Sequence, residues 1–392
     1  MPRPGQTRAP GPGLQPFEPG DPGRFVFPDR WGGELRRRPA SAVGTVCEVE
    51  IPSRLHASVL DMNRFDVGRP GGGGIGFAVA LFCRARVEVI PNRHVQAGGN
   101  RPSIALHFGR LFQAVTGAPV GLDIEVADHG HRHMGLGSSI GTLTAVAVGL
   151  NEVLGRPFSL RDLRKLIAHN YCEEVPGERA RLVPGFETNV GAMAGIHGGM
   201  VLASDRCELI FRVPLPEQTR ALLLLPHTGP DVTSGSREAT ALLTGARDLD
   251  RRDAHRKAYR VLMDLLPAMA RGDLEAVGDV VLALAEMGSK RAECELHGSR
   301  GREVYRLIRE LRAQGAEIAS MSSVGPAVFA LSRRPGTWER WKVWKQPGAV
   351  ERAAVVPVDN TGARVRLDGV PIPYRFEPWW SEPRTWPPCG AR

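Results

Sequence analysis

Alternating apolar and polar positions predict strands in the first part of the chain. The alternation covers residues 42–51, residues 75–90 with a break near Arg84, and residues 121–126. Side chains two positions apart lie on the same face of a strand, so the pattern is typical of strands that cover a core. Three later segments predict a turn leading into a core strand at 195–204, a strand at 221–226 followed by a loop at 227–238, and a strand at 324–332.

Apolar residues spaced three or four positions apart predict helices between these strands. Residues 102–117 have amphipathic spacing and end at Gly117, and residues 159–172 begin at Ser159, a residue type that caps helix N-termini. The segment 138–155 is apolar on all sides, which is typical of a helix buried between two layers. Helical spacing also covers 237–244, 253–270, 273–288 and 300–314.

Length and local composition divide the chain into four segments. A chain of 392 residues is too long for one compact core and suits two domains. Residues 1–41, rich in Pro, Gly and Arg, predict a flexible leader. Residues 42–215 and 216–335 are the two predicted domains, both of mixed α and β type. Residues 336–392 carry six of the seven tryptophans and are a predicted C-terminal extension that packs on the body or on a partner subunit.

Composition and charge exclude several classes of protein. Hydrophobic residues make up 42% of the chain, yet no uninterrupted apolar run reaches the length of a membrane span. The six cysteines are scattered without a CxxC pair, which argues against a disulfide framework and a cysteine zinc site. The net charge is +9, almost all basic residues are Arg, and no basic run has interleaved aromatics. We therefore expect a cytoplasmic protein that binds small anionic substrates rather than nucleic acid or membranes.

The segment HMGLGSSI at 133–140 carries the sharpest chemical signal, because it leads directly into the apolar helix. Gly135 and Gly137 let the backbone approach a ligand closely, and the first N–H groups of a helix point outward with the positive end of its dipole. Ser138 and Ser139 add two hydroxyls at the same place. The segment lacks the GK[ST] of a Walker loop and the GxGxxG of a dinucleotide site. It predicts an anion site, although an ordinary tight turn has the same composition.

Four further motifs accompany this segment in a characteristic order. They are SRLHASVLDMN at 53–63, GGGGIGFAV at 71–79, PGFETNVGAMAGIHGG at 184–199 and MSSVGPAVFAL at 321–331. The order resembles the GHMP small-molecule kinase superfamily and, within it, the β-ribofuranosylaminobenzene 5′-phosphate synthase group, over residues 42–332. The resemblance implies an α+β, GHMP-kinase-like two-domain fold. Its N-terminal domain would be like domain 2 of ribosomal protein S5, and its C-terminal domain would be ferredoxin-like.

The resemblance also implies an activity. Members of the synthase group couple phosphoribosyl pyrophosphate to a carboxylated aromatic ring, and the C-glycosidic bond forms with loss of CO2 and pyrophosphate. C-nucleoside antibiotic synthases of the formycin and pyrazofurin type, which use pyrazole dicarboxylates, belong to the same group. The Arg- and Gly-rich composition of this chain favours that branch. A Mg²⁺ ion bound with the pyrophosphate, no organic cofactor, and a homodimer are the corresponding expectations.

Position 191 distinguishes a synthase from a kinase. GHMP kinases usually carry a catalytic Asp seven residues before a Gly-Gly turn, and counting back from Gly198 leads to Gly191. The group that would deprotonate a substrate hydroxyl is therefore missing. Glu187 is the nearest acid and could substitute for it, so an ATP-dependent small-molecule kinase remains the alternative. A third hypothesis is a catalytically silent relative that binds phosphorylated metabolites.

On the synthase hypothesis the candidate site residues fall into three sets. The set expected to bind phosphoribosyl pyrophosphate is Gly135, Gly137, Ser138, Ser139, Gly74, Gly76, Ser322 and Ser323. The catalytic set is Glu187, Asn189 and Arg54, and the acceptor-binding set is His56 and Thr188. Structural roles as turns, loop caps or a surface strand pair compete with each of these assignments.

Metal ligands are not identified by the sequence. The histidines at 129, 131 and 133 would share one face of a strand, but no acidic or cysteine partner is placed to complete a transition-metal site. Solvated or phosphate-facing histidines are the alternative. Asp128 is a candidate ligand for Mg²⁺.

Overall fold

Two β-sheets with helices packed against them form the protein. The computed structural model describes residues 15–27, 39–64, 66, 68–175, 177–226, 236–296, 299–342 and 350–374. No helix within these ranges is both long enough and apolar enough to cross a membrane. The predicted loop at 227–238 lies largely outside them, as do the ends of the leader and of the Trp-rich extension.

The elements of the first half alternate between strands and helices. In chain order they are β1 (Val46–Val59), β2 (Gly74–Ile90), β3 (Val95–Gly99), α1 (Pro102–Thr116), β4 (Gly121–Ala127), α2 (Ser138–Val153), α3 (Leu160–His169), β5 (Cys172–Val175), β6 (Glu178–Pro184), α4 (Val190–His197), β7 (Met200–Ala203) and β8 (Leu209–Val213). The predicted strands and helices of this half are confirmed, whereas α4 occupies a segment for which only a turn was predicted.

The elements of the second half are mainly helical. They are β9 (Arg220–Pro226), α5 (Ser236–Tyr259), a π-helical segment (Arg260–Leu265), α6 (Leu266–Arg271), α7 (Leu274–Ala285), α8 (Gly288–Glu295), α9 (Ser299–Ala313), β10 (Ile318–Met321), β11 (Val328–Ser332), α10 (Pro335–Lys342), β12 (Val350–Pro357), β13 (Arg364–Leu367) and β14 (Val370–Ile372). The segments predicted as helices at 237–244 and 253–270 are one helical run through α5, and α8 was not predicted.

The larger sheet has the order β14-β13-β1-β2-β4-β3, with β7 paired to β2 and β8 paired to β7. Antiparallel β1 and β2 pair from Val46 opposite Glu88 to Val59 opposite Gly74. The predicted break in β2 is wrong, because Arg84 lies on the exposed face of a continuous strand, with Nε 2.7 Å from Oε1 of Glu50. A charged residue that interrupts an apolar run can simply occupy the solvent face.

Helix α2 lies against this sheet and is buried along its whole length. Its apolar side chains join those of β1, β2, β4 and α1 in one core cluster, as its composition predicted. Strand β1 contributes alternate inward-facing residues, of which Cys47, Val49 and Ile51 are at most 1% exposed. The core therefore holds the N-terminus of α2, and with it residues 133–139, in a fixed position.

The smaller sheet has the order β10-β11-β9-β12, and all its neighbouring strands are antiparallel. With helices between β9 and β10 and helix α10 between β11 and β12, this is the predicted ferredoxin-like arrangement. Its fourth strand, β12, lies in the segment that was predicted as a separate extension. That segment instead completes the smaller sheet, and β13 then joins the larger sheet beside β1. The apolar pattern of β12 is weak because most of its side chains are exposed.

Part of the predicted flexible leader is also packed against the body. Phe17 pairs with Leu182 of β6 and is 5% exposed. The backbone N–H of Gly20 donates to Nδ1 of buried His107 on α1, at 3.0 Å. Residues 15–27 therefore cover α1 instead of forming a free leader. Their Pro and Gly content hid this because neither residue type indicates by itself whether a segment is docked.

Candidate functional site

The N-terminus of α2 opens at the segment that the sequence singled out. Gly137 is the N-terminal capping residue and has a φ of 75°, in the left-handed region that glycine adopts readily. Ser138 and Ser139 form the start of the first turn and are 5% and 6% exposed. The geometry is compatible with the predicted anion site, because N–H groups and two hydroxyls lie at the positive end of a 16-residue helix.

Arg101 adds a buried positive charge to this helix N-terminus, and sequence reasoning missed it. Its Nη2 donates to Oγ of Ser138 at 2.5 Å, and its Nη1 donates to Oγ of Ser139 at 3.1 Å. Arg101 is 2% exposed, and its Nε lies 3.0 Å from Oδ2 of Asp128. Both hydroxyl oxygens accept from Arg101, and neither hydroxyl donates to another group among the described residues, so both protons are available to a ligand.

Asp128 does not fit its predicted role as a Mg²⁺ ligand. Its carboxylate accepts hydrogen bonds from Arg101, Arg132 and Asn100, and its side chain is fully buried. Burial alone would raise its pKa, but the bond from the Gly130 N–H and the two Arg charges lower the pKa below its usual value. Among the described residues, no group of three or more His, Cys, Asp or Glu is placed to hold a metal ion.

The three histidines that precede α2 lie in the loop after β4 rather than on a strand. The rings of His129 and His131 stack with their centroids 5.7 Å apart, and His133 has a φ of 54°. Burial lowers the pKa of His129 to about 4. A shared strand face, which the metal hypothesis assumed, is therefore absent.

The loop that follows β10 crosses to the loop before α2, and Gly135 is where they meet. Oγ of Ser322 donates to the carbonyl of Gly135 at 2.6 Å, and Nη1 of Arg54 donates to the same carbonyl at 2.6 Å. The backbone N–H of His56 donates to Oγ of Ser322 at 3.0 Å. The only proton of the Ser322 hydroxyl is thus used within the protein, and Ser322 holds the loop. This differs from the prediction that Ser322 binds phosphate, because the hydroxyl has no further proton to donate.

Ser323 lies beside this contact in a left-handed conformation, with a φ of 54°. Its Oγ is 3.5 Å from Nη2 of Arg54, and its N–H donates to the carbonyl of His56 at 2.8 Å. Ser322 and Ser323 therefore attach the C-terminal domain to β1 next to the mouth of α2. Arg54 spans the same junction between the two loops.

His56 and Glu187 are buried near Arg54. His56 is 4% exposed, and its Nε2 has no hydrogen-bond partner. Burial, together with the charges of Arg54 and Lys290, lowers its pKa well below the usual value, so the ring is neutral at pH 7. Burial raises the pKa of Glu187 to about 7, although Arg54 and the N–H groups of Asn189 and Thr188 oppose this shift. This region thus contains a carboxyl group that can gain or lose a proton near neutral pH.

The segment that contains Glu187 also begins helix α4. Oε1 of Glu187 accepts from the N–H of Asn189 at 2.7 Å, and the side chain of Thr188 accepts from Val190 at 3.5 Å. Asn189 is fully buried with a φ of 67°, and its Nδ2 donates to the carbonyl of Arg164 at 2.7 Å. The side chains of Glu187 and Thr188 thus accept from N–H groups at the start of α4. Oδ1 of Asn189 has no hydrogen-bond partner.

Gly74 and Gly76 lie within β2 and are packed against protein rather than open to a ligand. A Cβ at Gly74 would be 2.8 Å from Nε2 of His56 and from Cγ2 of Val190, and one at Gly76 would be 2.4 Å from Cγ1 of Val190. The missing side chains let α4 and His56 approach the strand. Their predicted contact with phosphoribosyl pyrophosphate is therefore replaced by a packing role.

Position 191 lies inside α4, against the first turn of α2. A Cβ there would be 2.5 Å from Cγ2 of Ile140, so the space is already filled by Ile140. A carboxylate on this residue has no room, and the structure agrees with the glycine in the sequence. The region around the start of α2 thus brings together a helix N-terminus with two serine hydroxyls, a carboxyl group with a pKa near 7 and a neutral histidine.

Comparisons with known proteins agree with this fold. The family described as GHMP kinases C terminal matches residues 265–342. The chain is 27% identical over 300 residues to a β-ribofuranosylphenol 5′-phosphate synthase of Methanothermobacter thermautotrophicus, which covers 74% of this chain and 89% of the relative. It is also 27% identical over 284 residues to a homoserine kinase of Moorella thermoacetica, covering 67% of this chain and 83% of the relative.

A solved structure extends the agreement to the fold as a whole. The homoserine kinase of Cytophaga hutchinsonii superimposes with a TM-score of 0.59 at 18% identity, covering 82% of this chain and 97% of that one. The predicted two-domain fold is confirmed by this similarity. The chain is therefore similar to the β-ribofuranosylphenol 5′-phosphate synthases, the group that its motifs resemble, and it carries a C-terminal segment that matches the GHMP kinases.

Proposed function

We propose that the protein is a decarboxylative phosphoribosyltransferase that forms a C–C bond. Carbon 1 of the ribose of phosphoribosyl pyrophosphate would be joined to the ring carbon that bears a carboxylate in an aromatic or heteroaromatic acid. The products would be a C-glycoside 5′-phosphate, CO2 and pyrophosphate. A relative whose name gives it a ribofuranosylphenol 5′-phosphate product supports this class of reaction.

The contact between Gly191 and Ile140 is the observation that carries the proposal. Phosphoryl transfer to an alcohol requires a group that positions the hydroxyl and accepts its proton. The position that supplies this carboxylate in related kinases is glycine here, and Ile140 occupies the space that a side chain would need. Decarboxylative coupling needs no proton removed from an attacking hydroxyl, so it is compatible with this region.

The reaction balances without a further reactant. The bond from ribose carbon 1 to the pyrophosphate oxygen breaks, and its electron pair leaves with pyrophosphate. The ring carbon supplies the electrons of the new C–C bond, and the pair from the broken bond to CO2 restores the aromatic ring. The site must therefore stabilise a leaving polyanion, which the N–H groups of α2, Ser138 and Ser139 are placed to do.

Glu187 and Arg54 would act on the acceptor side of this reaction. A ring that carries a hydroxyl or N–H group becomes a better carbon nucleophile when that proton is accepted by a base. Glu187, with a pKa of about 7, can accept it reversibly and return it to the product. Arg54 compensates the charge of Glu187 and bonds to Gly135, so it links the acceptor side to the loop at the pyrophosphate.

The acceptor is proposed to be a ring with at least one carboxylate. A hydroxybenzoate corresponds to the phenol product named for the relative, and a pyrazole dicarboxylate corresponds to the C-nucleoside branch. Mg²⁺ would neutralise charge on the pyrophosphate, but the described residues offer no cluster of ligands for it. We therefore expect the ion to be bound mainly by phosphate oxygens, with few protein ligands.

The test uses the purified full-length protein with phosphoribosyl pyrophosphate, Mg²⁺ and either 4-hydroxybenzoate or a pyrazole dicarboxylate labelled in the carboxyl group. We expect equal amounts of labelled CO2 and pyrophosphate, and a product with a ribose–carbon bond by NMR. Pyrophosphate release without this bond would reduce the protein to a hydrolase. No turnover with tight binding of the donor would support the silent relative instead.

An ATP-dependent kinase is the second candidate, and Glu187 is the observation that favours it. Its buried carboxyl group lies at the start of α4, close enough to Arg54 for each to shift the other's pKa. The homoserine kinase relative is consistent with such an activity. ADP production that depends on an added alcohol and is lost in Glu187→Gln would establish the kinase and overturn the synthase.

A further inference from the structure

A buried lysine on α8 lies behind the loop that meets Gly135. Lys290 is completely buried, and its Nζ lies 2.6 Å from the carbonyl of Ser323 and 3.2 Å from the carbonyl of Met321. Oε2 of buried Glu293, one turn further along the helix, lies 2.6 Å from the same Nζ. The ammonium group thus donates to two carbonyls of the loop and forms a buried ion pair with Glu293.

These contacts continue in an unbroken path to the mouth of α2. Lys290 holds the carbonyls on both sides of Ser322, whose hydroxyl donates to the carbonyl of Gly135. Gly135 is two residues before the capping glycine of α2. The path therefore joins α8 of the C-terminal domain to the loop of the N-terminal domain that carries the anion site.

We infer that Lys290 is a positioning residue that sets the loop at 135–139 for the leaving pyrophosphate, acting through Ser322 and Gly135. This inference rests on the proposed function for the identity of the ligand, but its contacts do not depend on that function. A donor array for a polyanion works only when its members are already in place, because reorganisation costs part of the stabilisation. A loop anchored from both domains has that property.

A simple stabilising role for Lys290 is the alternative, and it can be separated by experiment. Removing one member of a buried ion pair leaves an uncompensated charge and destabilises a protein strongly, whereas replacing both members with apolar residues is often neutral. Lys290→Met alone should therefore lower Tm. The pair Lys290→Met with Glu293→Leu should recover most of that loss, yet it still lacks the two bonds to the loop.

The experiment measures calorimetric affinity for Mg-pyrophosphate and hydrogen exchange in the peptide that contains residues 135–139. For the double variant we expect near-normal Tm, affinity weakened by about tenfold, and faster exchange in that peptide. If the double variant recovers Tm and has normal affinity and exchange, Lys290 is only structural and the inference is wrong. Affinity and hydrogen exchange can both be measured even if the protein has no synthase activity. A failure of the proposed function can therefore be told apart from a failure of this inference.

Two further variants separate a specific effect of Lys290 from a general loss of stability. Lys257→Met removes another buried lysine, which donates to the carbonyls of Val59 and Leu60 and to Oγ of Ser289 and pairs with Asp250. The substitution leaves the bonds from Lys290 to residues 321 and 323 in place. It should lower Tm but leave exchange at 135–139 unchanged. Ser322→Ala introduces no buried charge and breaks the same path at its next step. Normal exchange and affinity in Ser322→Ala would overturn the inference even if the double variant does not fold.

Discussion

Replacing Gly135 with alanine tests the contact between the two domains at the mouth of α2. Gly135 has a φ of 76°, and an added Cβ would lie 2.1 Å from the carbonyl oxygen of Ser322. Ordinary carbon–oxygen contacts need more than 3 Å, so one of the loops must move by about 1 Å. Gly130 is a matched control in the same connection between β4 and α2, because its φ is 79° and nothing lies within 4 Å of its Cβ position.

Both substitutions strain the backbone, but only Gly135→Ala also overpacks its surroundings. An L-residue in the left-handed region costs roughly 1–2 kcal/mol, and both variants carry this cost. Overpacking adds about 1–3 kcal/mol where the neighbouring groups must shift, and only Gly135→Ala carries it. We therefore expect Gly135→Ala to lower the free energy of unfolding by about 1–3 kcal/mol more than Gly130→Ala does.

Urea denaturation followed by circular dichroism gives the unfolding free energies, and calorimetry gives the affinity for Mg-pyrophosphate. Gly135→Ala should also weaken this affinity because it displaces the loop that carries the anion site, whereas Gly130→Ala should leave it unchanged. Equal losses of stability in the two variants would refute the contact with Ser322. A large stability difference with equal affinities would show that the contact does not position the anion site.

Three other predictions concern single side chains. If Glu187 is the base, kcat/KM should rise as the pH increases through about 7. Glu187→Gln should lower kcat/KM by about 10²-fold and remove this pH dependence. An unchanged pH profile in the variant would contradict the assignment. Arg101→Met should weaken the affinity for Mg-pyrophosphate, measured by calorimetry, by about tenfold. The control Arg156→Met breaks the 2.7 Å contact with Glu152 at the other end of α2 and should leave the affinity unchanged. Equal losses in the two variants would mean that the net charge of the protein, and not the position of Arg101, is responsible. Burial lowers the pKa of His107 from 6.5 to about 4 in the folded protein. Between these pH values the unfolded chain binds one more proton than the folded protein, so the free energy of unfolding should fall as the pH drops from 6.5 to 4. Urea titrations should show a weaker pH dependence for His107→Gln.

Local patterns in the sequence were sufficient for most of the fold. The alternation in β2 and β4, the spacing in α1 and the all-round apolarity of α2 each reflect which face of an element is buried. The segment at 133–140 was recognisable because a glycine turn followed by an apolar helix creates an anion site through the backbone alone. The order of five motifs indicated a resemblance to the GHMP kinases and their synthase group, and the comparisons found the same similarity.

Patterns were misleading where a segment's partner lies far away in the chain. Strand β12 has few inward apolar residues, so only its pairing with β9 shows that it completes the smaller sheet. Residues 15–27 have the composition of a loop, and their contacts with α1 and β6 become visible only in the folded protein. Edge strands and docked loops bury too little of their own surface to leave a periodic signal.

The roles of individual polar groups were decided by tertiary structure. From the sequence, Ser138 and Ser322 both lie in glycine-containing motifs, and both were predicted to bind phosphate. In the fold Ser138 accepts from Arg101 and keeps its own proton, whereas Ser322 gives its proton to the carbonyl of Gly135. A hydroxyl has one proton to give, and the partner that takes or leaves that proton comes from a residue remote in the chain. Sequence alone thus predicted an anion site at the start of α2, while the packing of two domains determined which nearby side chains keep a proton that they could donate.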